Sequence, residues 1–287
     1  MTTLRIVTVV FALASTVALA QENARTTRLS TRLHKLATTV PITVAHRGDS
    51  RNYPENTVSA FRAAVRAGAD MVELDFRQTS DGVLVCLHDA TVDRTTDGVQ
   101  KLRRKKIAVG TLTLAQVQSL DAGSWRHARL AGARIPTLEA ALKVIQKGSV
   151  AMIEHKAGNP ESLVKLLRRM RLVEDVLVQS FDWNFLERLH QLEPKITTAA
   201  LGSKPIDRKR LVAVRRTGAS MLHWSAKQWT VDQVEQAQKL GYLLAGYTLN
   251  SDIEFVGAAG LGLHAITTDR PRRLRLLSSK GLVERAR

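Results

Sequence analysis

Val44-Ala45-His46-Arg47-Gly48 opens a stretch that continues through Glu73-Leu74-Asp75 to His88-Asp89. Each of these three groups lies at the end of an apolar run. Such runs are typical of buried strands, and ionisable side chains are rarely buried unless they are paired or bind a ligand. The stretch therefore indicates a functional site built at the ends of successive strands.

Strand and helix alternate in this stretch and through the rest of the chain. Residues 42–45 and 71–76 are apolar runs of strand length, and residues 56–67 between them carry apolar side chains at helical spacing. Six further strands are predicted, each followed by a helix, over residues 150–153, 176–181, 196–201, 220–224, 243–249 and 265–267. These eight units, counted without the short extended piece at residues 83–87, predict a parallel (β/α)8 TIM barrel. A doubly wound sheet is the alternative, and the lack of a Gly-x-Gly-x-x-Gly motif after the first strand disfavours it.

The chain is predicted to have three parts. Residues 1–20 form a signal peptide, residues 21–40 a polar and basic leader that wraps or frays, and residues 41–287 the barrel domain. Residues 91–136 interrupt the alternation after the second strand. Because this segment is longer than a connecting loop needs, we expect a small insertion over one face of the barrel.

The first twenty residues have the features of a secretory signal. Arg5 supplies a positive charge, residues 6–20 are apolar or small, and Ala18-Leu19-Ala20 before Gln21 has the form of a cleavage site. The alternative, a membrane anchor, is disfavoured because the run is shorter than the ~20 residues that span a bilayer. We expect cleavage near Ala20, an extracytoplasmic protein that is periplasmic or secreted, and no transmembrane segment in the mature chain.

Charge and cysteine content limit the partners that the protein can have. The net charge of +17 favours association with anions, such as phosphate substrates or anionic surfaces. Aromatic residues do not interleave with the basic runs, so the sequence does not indicate specific nucleic-acid binding. Cys86 is the single cysteine, which excludes an intramolecular disulfide and a cysteine-based metal site.

Three carboxylates are candidates for a metal site. Glu73 and Asp75 end the second predicted strand, and Glu154 ends the third. Barrel enzymes carry their sites at these strand ends, and residues two apart on a strand share a face. Carboxylates that converge there would repel one another unless a cation lies between them. Ligands that are all oxygen favour a hard divalent ion, Mg²⁺ or Ca²⁺.

Two histidines and two cations complete the candidate site. His46 and His88 are the candidate general acid and base, since histidine titrates near neutral pH. The position of His88 before the insertion slightly favours it as the acid. Arg47 and Lys156 are the candidate phosphate ligands, because arginine offers a planar fork and lysine a point charge. The other histidines are interpreted as structural or surface residues, and the two that are hardest to assign are His155 and His223.

These motifs together closely resemble the glycerophosphodiester phosphodiesterase family. The resemblance covers about residues 42–275 and continues in Ile153-Glu154-His155-Lys156, Gln179-Ser180-Phe181-Asp182, Tyr247-Thr248-Leu249-Asn250 and Ile266-Thr267-Thr268-Asp269-Arg270-Pro271. It implies a barrel with an insertion after the second strand. The roles that it implies are metal binding by Glu73, Asp75 and Glu154, proton transfer by His46 and His88, and phosphate binding by Arg47 and Lys156. Tyr247 stands where the family usually has tryptophan, and His155 is unusual at its position, so the head group of the substrate stays open.

The activity expected from this resemblance is metal-dependent hydrolysis of a small glycerophosphodiester to sn-glycerol 3-phosphate and an alcohol. The attacking oxygen is either that of water or the substrate's own 2-hydroxyl, and the sequence does not separate the two routes. One alternative is phospholipase D-like action on lysophospholipids, which is disfavoured because enzymes of that type usually carry disulfides. The other is a non-catalytic basic barrel that binds polyanionic surfaces, which the intact set of histidines and carboxylates disfavours.

Overall fold

A computed structural model describes residues 25–286 of the chain. Within that range eight parallel strands close into a barrel, with helices between successive strands. The first strand closes the sheet, because it pairs with the second strand on one side and with the last strand on the other. The predicted (β/α)8 TIM barrel is confirmed. The barrel strands are β1 Ile42–Ala45, β2 Met71–Gln78, β4 Val150–His155, β5 Val176–Ser180, β6 Thr197–Gly202, β7 Met221–Ser225, β8 Leu243–Tyr247 and β9 Ala265–Thr268, and a short strand outside the barrel, β3 Leu84–Cys86, pairs antiparallel with β2.

Most of the helices begin directly after a polar residue that caps them. Thr57, Thr137 and Asn159 each accept a hydrogen bond from a backbone amide in the first turn of the helix that follows. Each cap fixes the residue at which its helix begins. It therefore also fixes the end of the loop that precedes the helix. The α-helices in the described range are α1 Arg28–Leu36, α2 Val58–Arg66, α3 Gly98–Leu102, α4 Leu114–Ser119, α5 Leu138–Ile145, α6 Pro160–Met170, α7 Trp183–Leu192, α8 Arg208–Arg216, α9 Val231–Lys239, α10 Asp252–Gly260 and α11 Pro271–Ser279.

Each barrel strand buries one face inside the barrel and the other against the helices. On β2, Met71 belongs to the interior cluster and Val72 to the cluster beneath the helices. Glu73 and Asp75 continue the inward face, since side chains two apart on a strand point the same way. The strand β4 shows the same alternation, so Glu154 points inward as well.

Helix α1 closes the barrel at the N-terminal ends of the strands. Leu29, Leu33 and Ala37 are buried and pack against the interior cluster. Thr27 caps the helix, and its hydroxyl is hydrogen-bonded to that of Thr197 at the start of β6. The sequence suggested a leader that wraps or frays here. The helix was missed because Leu29, Leu33 and Leu36 are its only apolar residues, and its other side chains are polar or basic.

The insertion, residues 91–136, packs around a small apolar core of its own. The members of this core from the insertion are Val92, Ile107, Val109, Leu112, Val117, Leu120, Ala122 and Ile135. Val85 on β3 and Leu87 join the core and attach it to the barrel. The insertion therefore has a defined shape and can contribute fixed walls to the site beside it.

No helix in the range 25–286 is long and apolar enough to cross a membrane. The predicted signal peptide, residues 1–20, lies outside the described residues.

Candidate active site

All seven residues that the sequence singled out come together at the C-terminal end of the barrel. A cavity of about 220 Å³ opens there, and six of the seven line it. The seventh, Asp75, is buried with a carboxylate oxygen within 4.8 Å of those of Glu73 and Glu154. The residues that line the cavity are His46, Arg47, Glu73, His88, Glu154, Lys156, Gln179, Phe181, Leu201, His223, Tyr247, Thr248 and Thr267.

A larger cavity of about 470 Å³ lies outside the barrel, between the β2–β3 turn and α6. Its single carboxylate, Glu139, is paired with Lys143 and Arg169. No histidine lines it. The smaller cavity is therefore the better candidate for chemistry, although it is not the largest.

Glu73, Asp75 and Glu154 form a buried acidic cluster. The parallel pairing of β2 and β4 sets Asp75 opposite Glu154. Asp75 Oδ2 accepts a hydrogen bond from Asn56 Nδ2 at 2.7 Å. Glu73 Oε1 is buried without a hydrogen-bond partner, and the nearest cation to Asp75 Oδ1 is the Lys156 ammonium at 3.5 Å. The cluster thus keeps oxygen atoms that no donor within the described residues satisfies.

Burial and mutual repulsion change the pKa values of the cluster. Burial, followed by the charges of Asp75 and Glu154, holds the pKa of Glu73 well above its usual range. Burial and the charge of Asp75 raise the pKa of Glu154 to about 7. Burial would also raise the pKa of Asp75, but Arg47 and Lys156 outweigh it and lower that pKa. The cluster therefore binds protons near neutral pH unless another cation replaces them.

The acidic cluster fits a hard divalent cation. All of its donors are oxygen atoms, which Mg²⁺ and Ca²⁺ prefer. Ligands on opposite sides of one ion lie ~4.2 Å apart around Mg²⁺ and ~4.8 Å apart around Ca²⁺. The observed spacing, within 4.8 Å, allows one ion of either kind. The unpartnered Glu73 Oε1 is the atom that such an ion would satisfy.

Arg47 and Lys156 are the two cations beside the acidic cluster. Arg47 Nε lies 3.4 Å from Asp75 Oδ2, and the Arg47 amide donates to Glu73 Oε2 at 2.8 Å. Lys156 forms ion pairs with Glu154 and Asp75. Both cationic side chains line the cavity and are less than one fifth exposed, at 17% and 16%. They therefore favour an anion at this end of the cavity.

The turn after β1 places His46 and Arg47. Arg47 has a φ of +56° and Gly48 a φ of +86°, a region that residues with side chains rarely adopt. A Cβ added to Gly48 would lie 2.6 Å from the backbone carbonyl carbon of Ala60. Only glycine therefore allows the turn to pack against α2, and this contact fixes the Arg47 amide against the acidic cluster.

His46 is paired with a carboxylate from the end of the last barrel strand. Its Nδ1 lies 2.7 Å from Asp269 Oδ1. Ser50 and Asn250 also donate to Asp269, at 3.0 and 2.8 Å. Burial would raise the pKa of Asp269, but its bonds to His46 and these donors lower it to about 2. Asp269 is therefore an anion that orients the His46 ring through Nδ1.

His88 is paired with a carboxylate in the same way. Its Nδ1 lies 2.7 Å from Asp89 Oδ1. Arg94 binds Asp89 and also Glu55, and Glu55 in turn accepts a hydrogen bond from Arg47 at 2.8 Å. Burial is the main cause that lowers the pKa of His88. The neutral form of this histidine is therefore favoured, and a continuous network links it to Arg47.

The floor of the cavity holds a neutral histidine. His223 Nδ1 lies 2.6 Å from Gln179 Oε1, and its Nε2 lies 2.9 Å from the Thr267 hydroxyl. Burial, together with the charge of His46, lowers the pKa of His223 to about 3. Tyr247 packs edge-on against this ring, with 5.1 Å between ring centroids. These residues close the inner end of the cavity and limit it to small groups.

Sequence reasoning missed the residues that support the site. Asp89 and Asp269 stood within quoted motifs but received no role, although a carboxylate beside a strand end is a signal that could have identified them. Glu55 lies in the loop after β1, away from any strand end, and no such signal marked it. Of the two uncertain histidines, His223 lies in the cavity. The other, His155, stacks on Phe185 with 3.7 Å between ring centroids and does not line the cavity.

Comparisons with known proteins agree with this arrangement. The profile of the Glycerophosphoryl diester phosphodiesterase family matches residues 46–273. A glycerophosphodiester phosphodiesterase of Caldanaerobacter subterraneus is 34% identical over 247 residues, which cover 84% of this chain and 98% of the relative.

Solved structures give the same result. The structure of an Oleispira antarctica phosphodiesterase in complex with the product sn-glycerol-3-phosphate matches with a TM-score of 0.77 and 28% identity, over 84% of this chain and 97% of that chain. A glycerophosphodiester phosphodiesterase from Agrobacterium tumefaciens matches with a TM-score of 0.71 and 29% identity, over 82% of this chain and 99% of that chain. The chain therefore belongs to the glycerophosphoryl diester phosphodiesterase family, whose members are enzymes that hydrolyse glycerophosphodiesters.

Proposed function

We propose that this protein hydrolyses glycerophosphodiesters to sn-glycerol 3-phosphate and an alcohol, with a bound divalent cation and two histidines that transfer protons. The observation that carries the proposal is one cavity that joins three buried carboxylates, two cations and two carboxylate-paired histidines. The cavity, about 220 Å³, suits a small phosphoester rather than a polymer.

Arg47 and Lys156 bind the non-bridging oxygens of the phosphate in this proposal. Both are held by ion pairs with carboxylates, so their positions are fixed before substrate arrives. Preorganised cations of this kind stabilise the charge that develops in a transition state. A divalent cation held by Glu73, Asp75 and Glu154 would supply a Lewis acid that withdraws charge from the phosphate.

His88 is the better general base and His46 the better general acid. The lowered pKa keeps His88 neutral, so it can accept a proton from the attacking hydroxyl of water or of the substrate's glycerol. Asp269 stays ionised and orients the His46 ring through Nδ1, so that His46 can give a proton to the leaving alkoxide. This assignment reverses the slight preference for His88 as the acid that its position in the sequence suggested.

The direct test is alcohol release from a panel of glycerophosphodiesters and lysophospholipids, with and without a chelator. We expect sn-glycerol 3-phosphate from the diesters, loss of activity in chelator, and recovery with Mg²⁺ or Ca²⁺. Glu139→Gln, which changes a surface carboxylate outside the cavity, is the control for Glu73→Gln. Release from lysophospholipids alone would favour the phospholipase D-like alternative. No release from any substrate would favour the non-catalytic barrel.

We also propose that the mature protein works outside the cytoplasm and associates with anionic surfaces. The apolar residues 6–20 with the small-x-small sequence at 18–20 support the first point, and the net charge of +17 supports the second. Cosedimentation with anionic vesicles should fall as salt is raised, because exposed charges are screened. Binding that is unchanged at high salt would contradict the electrostatic association.

A further inference from the structure

A second cavity lies beside the catalytic one and shares two residues with it. It has a volume of about 240 Å³ and opens at the turn after β1. The residues that line it are His46, Arg47, Ser50, Arg51, Glu55, Trp125, Arg126 and Asp269. Since His46 and Arg47 line both cavities, a phosphodiester bound at Arg47 has room for one of its two alcohol groups in each.

The insertion supplies the outer wall of this second cavity. Trp125 Nε1 donates to the Ala122 carbonyl at 2.9 Å, which fixes the indole ring. The Arg126 guanidinium donates to the carbonyl of Arg51, which joins the insertion to the loop after β1. Two segments that are far apart in sequence therefore form one defined pocket.

The second cavity presents positive charge that its own residues do not neutralise. Within residues 25–286, neither Arg51 nor Arg126 forms an ion pair with a carboxylate. The two carboxylates that line the cavity, Glu55 and Asp269, are already bound to other side chains. Both arginines are exposed to solvent at the mouth of the cavity, where they can meet an incoming group.

We propose that this second cavity is the subsite for the leaving alcohol, and that it favours alcohols that carry a further negative charge, such as a carboxylate or a second phosphodiester. The proposal rests on the phosphodiesterase function proposed above. An ammonium head group could contact the face of Trp125, but Arg51 and Arg126 would repel it. His46 lies where the two cavities meet, which suits a group that protonates the departing oxygen.

The test compares kcat/KM for three diesters of sn-glycerol 3-phosphate whose leaving alcohols are similar in size and differ in charge. The alcohols are ethanolamine, which is cationic, ethylene glycol, which is neutral, and glycolate, which is anionic. We expect the wild-type protein to prefer the glycolate diester over the ethanolamine diester by about tenfold, because each partly exposed charge contact is worth up to about fivefold. The preference should shrink at high salt, since exposed charges are screened.

Substitution of the two arginines should remove this preference. In the double variant Arg51→Gln and Arg126→Gln, we expect the ratio of kcat/KM for the glycolate diester over the ethanolamine diester to fall by about tenfold, so that little charge preference is left. Arg126→Lys, which keeps the charge and a donor, should keep most of the ratio. Arg129→Gln changes an exposed cation of the insertion that does not line the cavity, and it should keep the ratio unchanged.

Four outcomes would overturn the proposal, and those that spare the phosphodiesterase function can be told apart from the one that does not. Equal kcat/KM for the three diesters in the wild-type protein, or an equal loss for all three in the double variant, would remove the charge selectivity while leaving the phosphodiesterase function intact. A ratio that Arg126→Lys loses as fully as the double variant would show that Arg126 only tethers the insertion. Hydrolysis of none of the three would overturn the phosphodiesterase function, and the subsite with it.

Discussion

Glu73 is the residue at which the stability of the fold and the binding of a cation make the most clearly opposite demands. Its buried carboxylate would help to bind a cation, but it destabilises the folded protein when no cation is bound. Its carboxylate is buried, and Asp75 and Glu154 repel it. Glu73→Gln keeps an acceptor for the Arg47 amide and removes one charge from the cluster. We expect kcat to fall roughly a hundred- to thousandfold, the range for loss of one electrostatic group at a transition state.

In chelator, the melting temperature of Glu73→Gln should equal or exceed that of the wild type, because a carboxyl group whose ionised form is disfavoured by burial and by its acidic neighbours is replaced by a neutral amide. Added Mg²⁺ or Ca²⁺ should raise the melting temperature of the wild type only, since a ligand stabilises the state that binds it. Thermal unfolding and steady-state kinetics on both proteins check these points. Full activity of the variant in EDTA would refute the metal assignment.

The acidic cluster also predicts how this cation effect changes with pH. A glutamate in the unfolded chain loses its proton near pH ~4.3, whereas Glu154 in the folded protein does so at about 7. Between these values the folded state binds more protons, so without a cation the free energy of unfolding falls as pH rises. A cation competes with those protons, and the rise in melting temperature that it causes should therefore grow between mildly acidic and mildly basic pH. An equal rise at both ends would contradict the prediction.

Replacing His46 and replacing His88 should reduce activity to different extents on substrates with poor and with good leaving groups. An alkoxide needs a proton as it departs, whereas p-nitrophenolate needs little help because its charge is delocalised. His46→Ala should therefore lose activity on natural diesters and recover much of it on a p-nitrophenyl phosphodiester. His88→Ala should be inactive on both, since the nucleophile still needs a base. Matching losses for the two variants on both substrates would rule out the division of roles.

The sequence could predict which ionisable residues gather at one end of the barrel but not the pairs that they form. His46, Glu73 and Glu154 follow apolar runs, and in any barrel of this kind such positions converge at one end. The partner of His46, however, is Asp269, which is 223 positions away along the chain. Pairings of that kind depend on the closed sheet, so local pattern gave no reason to choose Asp269 over other carboxylates.

Among the helices and strands, those predicted correctly have a sequence in which the apolar, buried side chains are clearly separated from the polar ones. Helix α6 is one of the predicted helices that follow a strand, and its start is marked in the sequence because Asn159 caps it and Pro160 begins it. Helix α1 was missed, because its outer face is polar and basic and its packing partner is the inside of a barrel that the local sequence does not reveal. The insertion was recognised by its length alone, and its internal core became visible only in three dimensions.

Helix α1 should contribute to stability without affecting catalysis. Leu33 is 1% exposed and packs at the N-terminal end of the barrel, opposite the site. Leu33→Ala should lower the free energy of unfolding by about 2–5 kcal/mol, the usual range for a buried leucine, while kcat stays near the wild-type value. Leu36→Ala, on the same helix but 46% exposed, is the matched control and should change little. Denaturant unfolding together with a rate assay measures both, and a large loss of kcat at wild-type stability would contradict the assignment.

For the whole molecule, the location of the protein can be tested at its N-terminus. If residues 1–20 are a signal peptide, protein exported by its native host should begin at or near Gln21. N-terminal sequencing or intact mass measures this directly. A mature chain that still begins at Met1 would overturn the predicted location. Replacing Ala18 and Ala20 with larger residues should slow processing and leave the precursor in the membrane fraction.

The closure of the barrel through β1 has a consequence for when activity can appear during synthesis. β1 pairs with β9, so a nascent chain still lacking residues 265–268 has an open sheet with two unpaired edges. His46 and Asp269, which directly follow β1 and β9, form their hydrogen bond beside this strand pair. Almost the entire polypeptide must therefore be synthesised before His46 can pair with Asp269. Fragments that end before β9 lack Asp269 and cannot form this pair. If His46 transfers a proton as proposed above, chains that end before β9 should be inactive.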